Sequence, residues 1–408
     1  MPRLLFVIHD DAFFCSHRLH LGQAALKAGF EVVVATRVRH HAKMIEEAGF
    51  KLIPIRLSGG FRSPFYELAS IIELVRLYRR VRPDIVHHVA LKAILFGGVA
   101  ARIAGTPAVV NSITGLGYMF QAGGWRRSLV RAVIAPVLRW GFARPRSVAI
   151  FQNSDDCDDL IRTRTVTKSQ AVIIRGAGVN ISEFCPSPEP FGVPVVILPS
   201  RMLWDKGVGE FVQAARMLKA TGVQARCVLV GTVDKKNPKT ITEAQLRAWQ
   251  QEGVVEWWGH CDDMARVYGK SHMVVLPTFY GEGLPKSLLE GAACARPLIA
   301  TRVRGCQEIV RDGENGLLVP PRNPEALAQA IVTLLANKPL RERMGARGRE
   351  IVIKEFRAEL VAAATIAVYA GQMGTAGILS PHYNDRGMRS LTEHKRETKI
   401  DKARIRNA

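Results

Sequence analysis

Two carboxylates flank a segment that is typical of the start of a helix. Seven residues separate Glu282 from Glu290, and Pro285 fits the first helical position, where its missing N–H has no partner to lose. The backbone amides of Gly283 and Leu284 are then free to point at an anion, which the helix dipole favours. Because carboxylates repel phosphates, such a site suits a ligand whose hydroxyl groups contact the acids while its phosphates contact the amides. The alternative is a capped helix start with one solvated and one satisfied glutamate.

A second segment supplies positive charge. Residues 200–207 follow an apolar run that predicts a strand, and they include Arg201 and Lys206. Arginine offers a planar fork for phosphate oxygens and lysine a compact charge, so the pair suits an anionic ligand. With the helix amides, these cations replace the magnesium ion used elsewhere, and we expect no metal and no bound cofactor. Alternatively, Arg201 is a surface residue and Lys206 belongs to an exposed turn.

The segment from Glu282 to Glu290 resembles the E-x7-E signature of retaining glycosyltransferases of family 4, which have the two-domain GT-B fold. Three other segments resemble the family's motifs in the same order along the chain. Residues 176–180 resemble the Gly-Val-Asn/Asp element, residues 200–207 the Arg…Lys loop, and residues 313–320 a glycine-rich turn and strand. The resemblance covers about residues 1–370 and implies a hexosyltransferase.

The resemblance also implies roles for individual residues. Arg201 and Lys206 would grip the diphosphate, Glu290 would bind ribose hydroxyls, and Glu282 would face the C3 and C4 hydroxyls of the donor sugar. Backbone near Gly259 would contact the base. Further donor contacts are expected from Gly178, Val179 and Asn180. Retention of anomeric configuration is an implication of the family and not of the spacing.

The first half is most similar to a bacterial branch that extends glycans on undecaprenyl diphosphate during O-antigen, capsule or N-glycan assembly. The segments that carry this likeness are residues 13–19, 83–88, 115–120 and 151–156. It implies transfer of a hexose or N-acetylhexosamine, with a UDP-linked donor expected, to a saccharide on a polyprenyl diphosphate. Many family members carry a histidine in the loop that here spans residues 110–115, and this chain has none there.

Three residues are candidates to face the diphosphates of donor or acceptor. His17 and Arg18 stand at the predicted start of the first helix, where relatives often have two glycines. They are alternatively surface residues of that helix. His87 and His88 end a predicted strand, so one would reach the cleft, with His88 favoured, and the other would be a satisfied core histidine.

The net charge of +21 calls for an acidic partner. Between Arg76 and Arg146 there are 12 basic residues and one acid, Asp84, so this part of the chain should attract anionic lipid. Residues 124–142 mix tryptophans with arginines, which suits a helix lying on a membrane, where Arg126, Arg127 and Arg131 would form the surface, or else a packed core helix. No zinc-finger spacing, RNP aromatic pattern or homeodomain-like helix indicates nucleic acid.

Apolar runs alternate with helical patterns, which predicts an α/β protein with parallel sheets. We expect a GT-B fold of two Rossmann-like domains that face each other across a cleft. The expected divisions are an acceptor-binding domain at 1–187, a nucleotide-sugar domain at 188–353, a helix crossing back to the first domain at 354–373, and a basic, disordered tail at 374–408.

The expected strands of the first half are residues 4–8, 31–36, 51–55, 85–89, 108–112 and 148–151, and those of the second are 195–199, 225–231, 254–257, 273–277 and 298–301. The expected helices of the first half include residues 17–28, 40–48, 64–80 and 90–104.

Seven cysteines without a Cys-x-x-Cys pair indicate a reduced compartment. No secretory segment and no run of about 18 apolar residues is found, so we expect a cytoplasmic protein, peripheral on the inner face of the cell membrane. Two other functions remain open. A sugar-nucleotide 2-epimerase shares the GT-B architecture, and a non-catalytic protein of anionic membrane surfaces would fit the charge.

Overall fold

The computed structural model describes residues 1–58, 63–116, 125–235 and 237–374, without the side chains of 125–133. The chain forms two parallel sheets. The first has seven strands in the order β3-β2-β1-β4-β5-β6-β7, and the second has six in the order β10-β9-β8-β11-β12-β13. In each sheet the order reverses once, between β1 and β4 and between β8 and β11. Ligands of such doubly wound sheets bind beyond the carboxyl ends of the strands at this reversal.

The strands of the first sheet are β1 (Arg3–Val7), β2 (Glu31–Thr36), β3 (Lys51–Pro54), β4 (Ile85–Val89), β5 (Ala108–Ile113), β6 (Ser147–Phe151) and β7 (Ala171–Ile173). Those of the second are β8 (Val195–Pro199), β9 (Arg226–Val230), β10 (Glu256–Gly259), β11 (Met273–Leu276), β12 (Leu298–Thr301) and β13 (Gly316–Val319). These strands match the predicted runs closely. The short β7 was missed because its three residues are only half-buried and carry no long apolar pattern.

The helices of the first half are α1 (Asp11–His17), α2 (Leu19–Lys27), α3 (Ala42–Glu47), α4 (Pro64–Val81), α5 (Leu91–Ala104), α6 (Trp125–Phe142) and α7 (Ser154–Arg162). Those of the second half are α8 (Val208–Ala220), α9 (Glu243–Gln251), α10 (Met264–Gly269), α11 (Lys286–Ala293), α12 (Arg304–Gln307), α13 (Pro324–Leu335), α14 (Lys338–Ile351) and α15 (Ala358–Met373). Within the described ranges, none of the helices combines the length and the apolarity that crossing a bilayer requires.

Each sheet is buried on both faces, as parallel sheets require. In β1, Leu5 and Val7 pack into one hydrophobic cluster, whereas Leu4 and Phe6 pack into another on the opposite face. Because successive side chains of a strand point to opposite faces, one apolar run supplies two cores. This burial fixes the strand ends and thereby positions the loops that leave them.

The predicted return of the last helix to the first domain is confirmed. Val361, Ile366 and Tyr369 of α15 belong to the same cluster as Leu4 and Phe6. The helix begins four residues later than predicted, at Ala358, because a π-helical turn (Val352–Phe356) and a bridge between Val179 and Arg357 come first.

Helix α6 is the segment for which the sequence left two interpretations. In its second half Ile134, Leu138 and Phe142 are buried in the core, and Trp140 is 43% exposed with its ring under the guanidinium of Arg102. This half is therefore a packed helix. The side chains of Arg126, Arg127 and Arg131 lie outside the described residues, as does the predicted tail beyond 374.

Candidate active site

The loops that follow β1, β8 and β11 leave the two sheets at their reversal points and face one cleft. In the second sheet, Lys206 lies in the loop after β8 and Glu282 lies in the loop after β11. Lys206 forms an ion pair with one carboxylate oxygen of Glu282, and the hydroxyl of Thr278 lies 3.1 Å from the same oxygen. The side chains of Lys206 and Glu282 are 17% and 12% exposed. A largely buried pair of this kind holds its cation in place before a ligand arrives, since charges interact more strongly out of water.

The start of α11 differs from the prediction. Pro285 is the N-cap residue with extended backbone, and the helix begins at Lys286. The amide of Leu284, which we expected to be free, donates to the side-chain oxygen of Gln152 in the first domain, at 3.0 Å. At Gly283 a side chain is excluded, since a Cβ would collide with the backbone carbonyl of Thr114 in the first domain. The first domain therefore closes directly on the predicted anion-binding turn.

A second contact ties the domains nearby. Arg304 of α12 lies 2.6 Å from Asp159 and 3.4 Å from Asp156, both on α7. Burial raises the pKa of Asp156, and Asn153, Leu116 and Arg304 oppose that shift through hydrogen bonds or charge. The residues 151–156 that carried part of the sequence likeness therefore form a joint between the domains.

Glu290 is almost fully buried, with 7% of its surface exposed. Tyr268 donates its hydroxyl to one carboxylate oxygen at 2.9 Å, and Lys286 lies 2.8 Å from the other. Burial, followed by the charge of Glu290, raises the pKa of Tyr268 well above its ordinary value. Tyr268 therefore stays a hydrogen-bond donor, and Glu290 is a fixed acceptor one turn inside α11.

Arg201 lies beyond the end of β8 and is largely exposed. Its guanidinium is 3.0 Å from the carboxylate of Asp234. Gly259, near which the family resemblance implies a contact with the base, is the last residue of β10. Its carbonyl accepts the amide of Gly231 at 2.7 Å. Apart from its two chain neighbours, no described residue has an atom within 4 Å of the position that a Cβ of Gly259 would take, so this strand end is open.

Residues 178–180 contact the segment in which the chain returns from the second domain to the first. Val179 is 1% exposed, its amide donates to Phe356 and its carbonyl accepts the amide of Ala358, each at 3.0 Å. Gly178 has a positive φ, and a Cβ there would lie 2.6 Å from the Cα of Ala358. The predicted donor contacts of Gly178 and Val179 are therefore wrong, because both residues are committed to packing. The side chain of Asn180 accepts the amide of Ser182, and its donor contact stays a prediction.

His17 and Arg18 do not begin the first helix. His17 ends α1, with its ring stacked on Phe13 at 4.1 Å and its Nδ1 2.7 Å from the Ser16 hydroxyl. Burial, with smaller effects of Lys286, Arg18 and His20, lowers the pKa of His17 to about 3. The ring is therefore neutral at physiological pH.

Arg18 separates α1 from α2 and is 3% exposed. It makes no ion pair or hydrogen bond through its side chain with the residues that the structure describes, and its buried Nε lacks a partner. Burial lowers its pKa to about 10. A buried cation without a carboxylate is costly, and an anionic ligand would offset that cost.

His88 does not reach the cleft, and its predicted acceptor role is wrong. The ring is fully buried, 2.9 Å from the hydroxyl of Tyr78 and 2.8 Å from the side-chain oxygen of Asn111. His87 is equally buried, between Ser112 and Tyr369. Both rings are satisfied within the core. The alternation of side chains along β4 puts the two rings on opposite faces of the sheet, and each face is covered by helices.

Sequence reasoning missed Asp11, which is fully buried after β1. One of its carboxylate oxygens accepts the backbone amides of Arg39, His40 and His41 at 2.7 to 2.9 Å. Burial raises the pKa of Asp11, but these hydrogen bonds outweigh that effect and hold the pKa below its ordinary value. The loop after β2 is thus fixed to the loop after β1. The sequence signal that could have identified Asp11 is the polar run that follows the end of β1.

This fixed loop brings cations to the cleft. Arg37 and Arg39 each lie 3.4 Å from Asp10. Burial lowers the pKa of His9, Asp10 opposes the shift, and Arg37, Arg201 and Arg39 add to it. The charge of Arg201 in the second domain therefore acts on His9 in the first.

Two doubly wound domains that face each other, with cations and carboxylates at both strand edges, define a glycosyltransferase of the GT-B class. Family models agree. Residues 3–153 match the model described as glycosyl transferase 4-like, and residues 193–337 match glycosyl transferases group 1. The chain belongs to this family of glycosyltransferases, and it is a hexosyltransferase.

Curated relatives cover most of the chain. An N,N'-diacetylbacillosaminyl-diphospho-undecaprenol alpha-1,3-N-acetylgalactosaminyltransferase of Campylobacter jejuni is 28% identical over 83% of this chain and 91% of its own. The putative glycosyltransferase EpsD of Bacillus subtilis is 28% identical over 88% and 94%. The capsular polysaccharide glycosyltransferase CapM of Staphylococcus aureus is 24% identical over 73% and 79%. The expected likeness to bacterial glycan-assembly enzymes is confirmed.

Solved structures share the fold. HepE of Anabaena, in complex with UDP and glucose, superposes with a TM-score of 0.73 at 17% identity, covering 91% of this chain and 100% of that one. A sucrose-phosphate synthase of Thermosynechococcus elongatus has a TM-score of 0.73 at 21% identity, covering 92% and 100%. The predicted GT-B fold is confirmed. The curated relatives are named glycosyltransferases, which favours sugar transfer over the epimerase and the non-catalytic protein.

Proposed function

We propose that this enzyme transfers a hexose or N-acetylhexosamine from a UDP-linked sugar to a saccharide carried on a polyprenyl diphosphate. The product would belong to a bacterial surface polysaccharide or a glycoprotein glycan. The observation that carries the donor half is the ion pair between Lys206 and Glu282 in the cleft, together with the buried Glu290 eight positions after Glu282. The acceptor half is supported by the Campylobacter relative, whose name includes an undecaprenol diphosphate.

Transfer requires the sugar–phosphate bond to break while a cationic sugar forms, so the departing diphosphate must be stabilised. Lys206 and Arg201 supply the positive charge, from fixed positions beyond β8. Glu282 uses one carboxylate oxygen for Lys206 and Thr278. Its other oxygen has no hydrogen-bond donor among the described residues, and this oxygen would accept sugar hydroxyls. Retention of configuration follows the family resemblance.

The nucleoside would lie along the second domain. Glu290 is a fixed acceptor for ribose hydroxyls, because each carboxylate oxygen can accept more than the one bond it has in the free protein. The base would occupy the open space beside Gly259. Lys286, which pairs with Glu290, also lies close enough to His17 and His20 to lower their pKa values. Ribose binding and the acceptor side of the cleft are thereby adjacent.

The acceptor diphosphate would bind near Arg18 and the two histidines. Burial, together with Arg18 and Lys286, lowers the pKa of His20 to about 4, so both rings are neutral and donate or accept hydrogen bonds. Arg18 supplies the charge. An incoming dianion would raise the pKa of His17, which makes proton uptake on binding a signature of this site.

A lipid-linked acceptor would require the enzyme to work at the cytoplasmic face of the cell membrane. The excess of basic residues between Arg76 and Arg146 suits an anionic surface, and Arg126, Arg127 and Arg131 of α6 are proposed to lie on it. These three arginines of α6 provide a first test. Replacement of all three by glutamate should weaken binding to anionic vesicles and leave UDP binding intact, since UDP binds the other domain.

The decisive experiment combines donor screening with product analysis. Thermal unfolding would be followed with UDP-, GDP- and TDP-sugars, because a ligand of the folded state stabilises it by RT ln(1 + [L]/Kd). The best donor would then be incubated with a synthetic polyprenyl-diphosphate saccharide, and the new linkage examined by NMR. The proposal fails if no sugar is transferred in the presence of that acceptor class, or if the anomeric configuration is inverted.

A further inference from the structure

Helix α4 has an apolar stripe on the side that faces solvent. Its inner side packs into the first core through residues such as Leu74 and Tyr78, which are almost fully buried. On its outer side, Phe65, Leu68 and Ile72 are 86%, 56% and 42% exposed. The inner side satisfies the usual need of a surface helix for one buried face, so packing against the described residues does not require the outer ones.

These three residues form a continuous patch. Their spacing of three and then four positions aligns them along one side of a helix, where residues three or four apart are neighbours. Single exposed apolar side chains are common on proteins and need no explanation, whereas a contiguous apolar patch indicates an interaction surface. We call Phe65, Leu68 and Ile72 the α4 stripe.

The same side of α4 becomes basic further along. Arg76, Arg79 and Arg80 are exposed, and they form no ion pair with any residue in the described parts of the chain. The two acids of the helix are engaged elsewhere. Glu67 pairs with the buried Lys92, and Glu73 accepts the backbone amide of Arg56. The outer face therefore presents apolar side chains and then unpaired cations.

The position of the stripe fits the direction from which a lipid would come. Helix α4 follows β3, so its first turns, which hold Phe65 and Leu68, start near the carboxyl edge of the first sheet, where the cleft opens. Both α4 and α6 pack against α5, which is buried along nearly its whole length. The outer faces of α4 and α6 thus belong to one side of the first domain.

We propose that the α4 stripe inserts into the interfacial layer of an anionic bilayer, with Arg76, Arg79 and Arg80 at the depth of the lipid headgroups. Helices that combine an apolar side with cations bind membranes in this way. A second copy of the chain is a poorer occupant. An antiparallel pairing through α4 would press the arginines of one copy onto the apolar residues of the other, and a parallel pairing would place like charges together. The inference extends the proposed lipid-linked acceptor, but it is tested without any substrate.

Two triple variants on this one helix separate its apolar and electrostatic contributions. Binding of the purified full chain would be measured by flotation with vesicles of phosphatidylglycerol and phosphatidylcholine, and with phosphatidylcholine alone, at low and high salt. Phe65→Ser/Leu68→Ser/Ile72→Ser should lower the salt-resistant binding by about tenfold or more. Arg76→Glu/Arg79→Glu/Arg80→Glu should lower binding at low salt by about 100-fold, since each basic residue contributes a factor of about five.

The matched control is Phe191→Ser, which removes a fully exposed aromatic side chain from the second domain. It should bind vesicles as the wild type does, and all variants should keep the wild-type Tm and UDP affinity. The inference is overturned if the stripe variant floats like the wild type, or if Phe191→Ser loses as much binding. It is also overturned if the wild type dimerises in sedimentation and the stripe variant loses only that dimer.

Transfer assays keep this inference apart from the proposed function. A stripe variant that floats like the wild type, in an enzyme that still glycosylates a detergent-dissolved lipid diphosphate, rejects the stripe and leaves the function standing. A stripe variant that loses vesicle binding supports the stripe even when the wild-type enzyme transfers no sugar to that acceptor class.

Discussion

The side-chain oxygen of Gln152 accepts the backbone amide of Leu284 at 3.0 Å, which joins the end of a strand in one domain to a helix start in the other. In the free protein this amide is therefore not available to a phosphate. A donor that uses it must displace Gln152, and the two domains must part locally when it binds.

Replacing Gln152 by alanine tests this competition. The variant should bind UDP about threefold more tightly, because one hydrogen bond of about 0.5 to 1 kcal/mol no longer has to be exchanged. Isothermal titration calorimetry measures the change. Gln213→Ala, an exposed glutamine on α8, is the matched control and should have no effect. An unchanged affinity in Gln152→Ala would remove the Leu284 amide from the phosphate site.

A double-mutant cycle on Glu282 and Lys206 tests whether the pair works as a unit. Each alanine variant should lose about 100-fold or more in turnover, and the double variant should lose little more than either, because residues of one network are not additive. Arg201→Ala should lose a similar factor independently. Steady-state rates provide the measurement, with the exposed Arg216–Glu252 pair as control. Near-normal turnover of Glu282→Ala would exclude the proposed site.

Glu290→Gln should weaken the binding of free UDP by about tenfold, since a charged acceptor for ribose is lost. Tyr268→Phe is its control. That change removes the donor to Glu290 and should lower the free energy of unfolding by about 1 kcal/mol while UDP affinity stays within about twofold. If both variants weaken UDP equally in calorimetry, Glu290 acts by supporting α11 and not by contacting the nucleotide.

The buried histidines make stability depend on pH. Burial lowers the pKa of His88 from 6.5 to about 4, so the unfolded chain takes up the proton first as the solution is acidified. Its contribution, about 3 kcal/mol, is complete above pH 6.5 and is lost as the pH falls towards 4.

Denaturant unfolding at several pH values measures this effect. In His88→Gln the proton uptake on unfolding should fall by about one in that window, although the variant is less stable overall. Gln213→Ala, an exposed substitution that removes no titratable group, should keep the wild-type slope. An identical slope in His88→Gln would show that His88 is already protonated in the folded protein, contrary to its burial.

Metal independence is the remaining prediction. Because Arg201 and Lys206 are proposed to supply the charge that faces the diphosphate, saturating EDTA should leave the initial rate of transfer unchanged. Loss of activity in EDTA, with recovery on addition of magnesium or manganese, would contradict it. The same assay with Lys206→Ala asks whether an added divalent ion can replace the missing lysine.

Much of the fold was readable because burial on both faces of a parallel sheet demands apolar runs, and runs such as Glu31–Thr36 have ends at the predicted positions. Sequence reasoning selected Glu282 and Lys206, and the structure brings their side chains together. Pro285 was misplaced by one residue, because its backbone is extended and the helix starts after it. Local patterns describe a helix start well but fix its first residue poorly.

The remaining site features depend on contacts between distant parts of the chain. No local pattern reveals that Gln152 reaches Leu284, or that Asp11 holds the loop containing Arg39. His88 was misassigned for the same reason, since its partners Tyr78 and Asn111 come from neighbouring elements. The residues around Gly178 were read as ligand contacts, whereas their geometry serves the crossover at Ala358.

That crossover has a consequence for building hybrid enzymes. Since α15 packs into the core beside Leu4 and Phe6, the first domain is discontinuous in sequence, and the second is an insertion between Val179 and Ala358. A chimaera joined at a single point near residue 187 would pair one protein's first domain with another protein's last helix, leaving Tyr369 and His87 mismatched. Exchange of donor preference therefore calls for two junctions, one on each side of the inserted module.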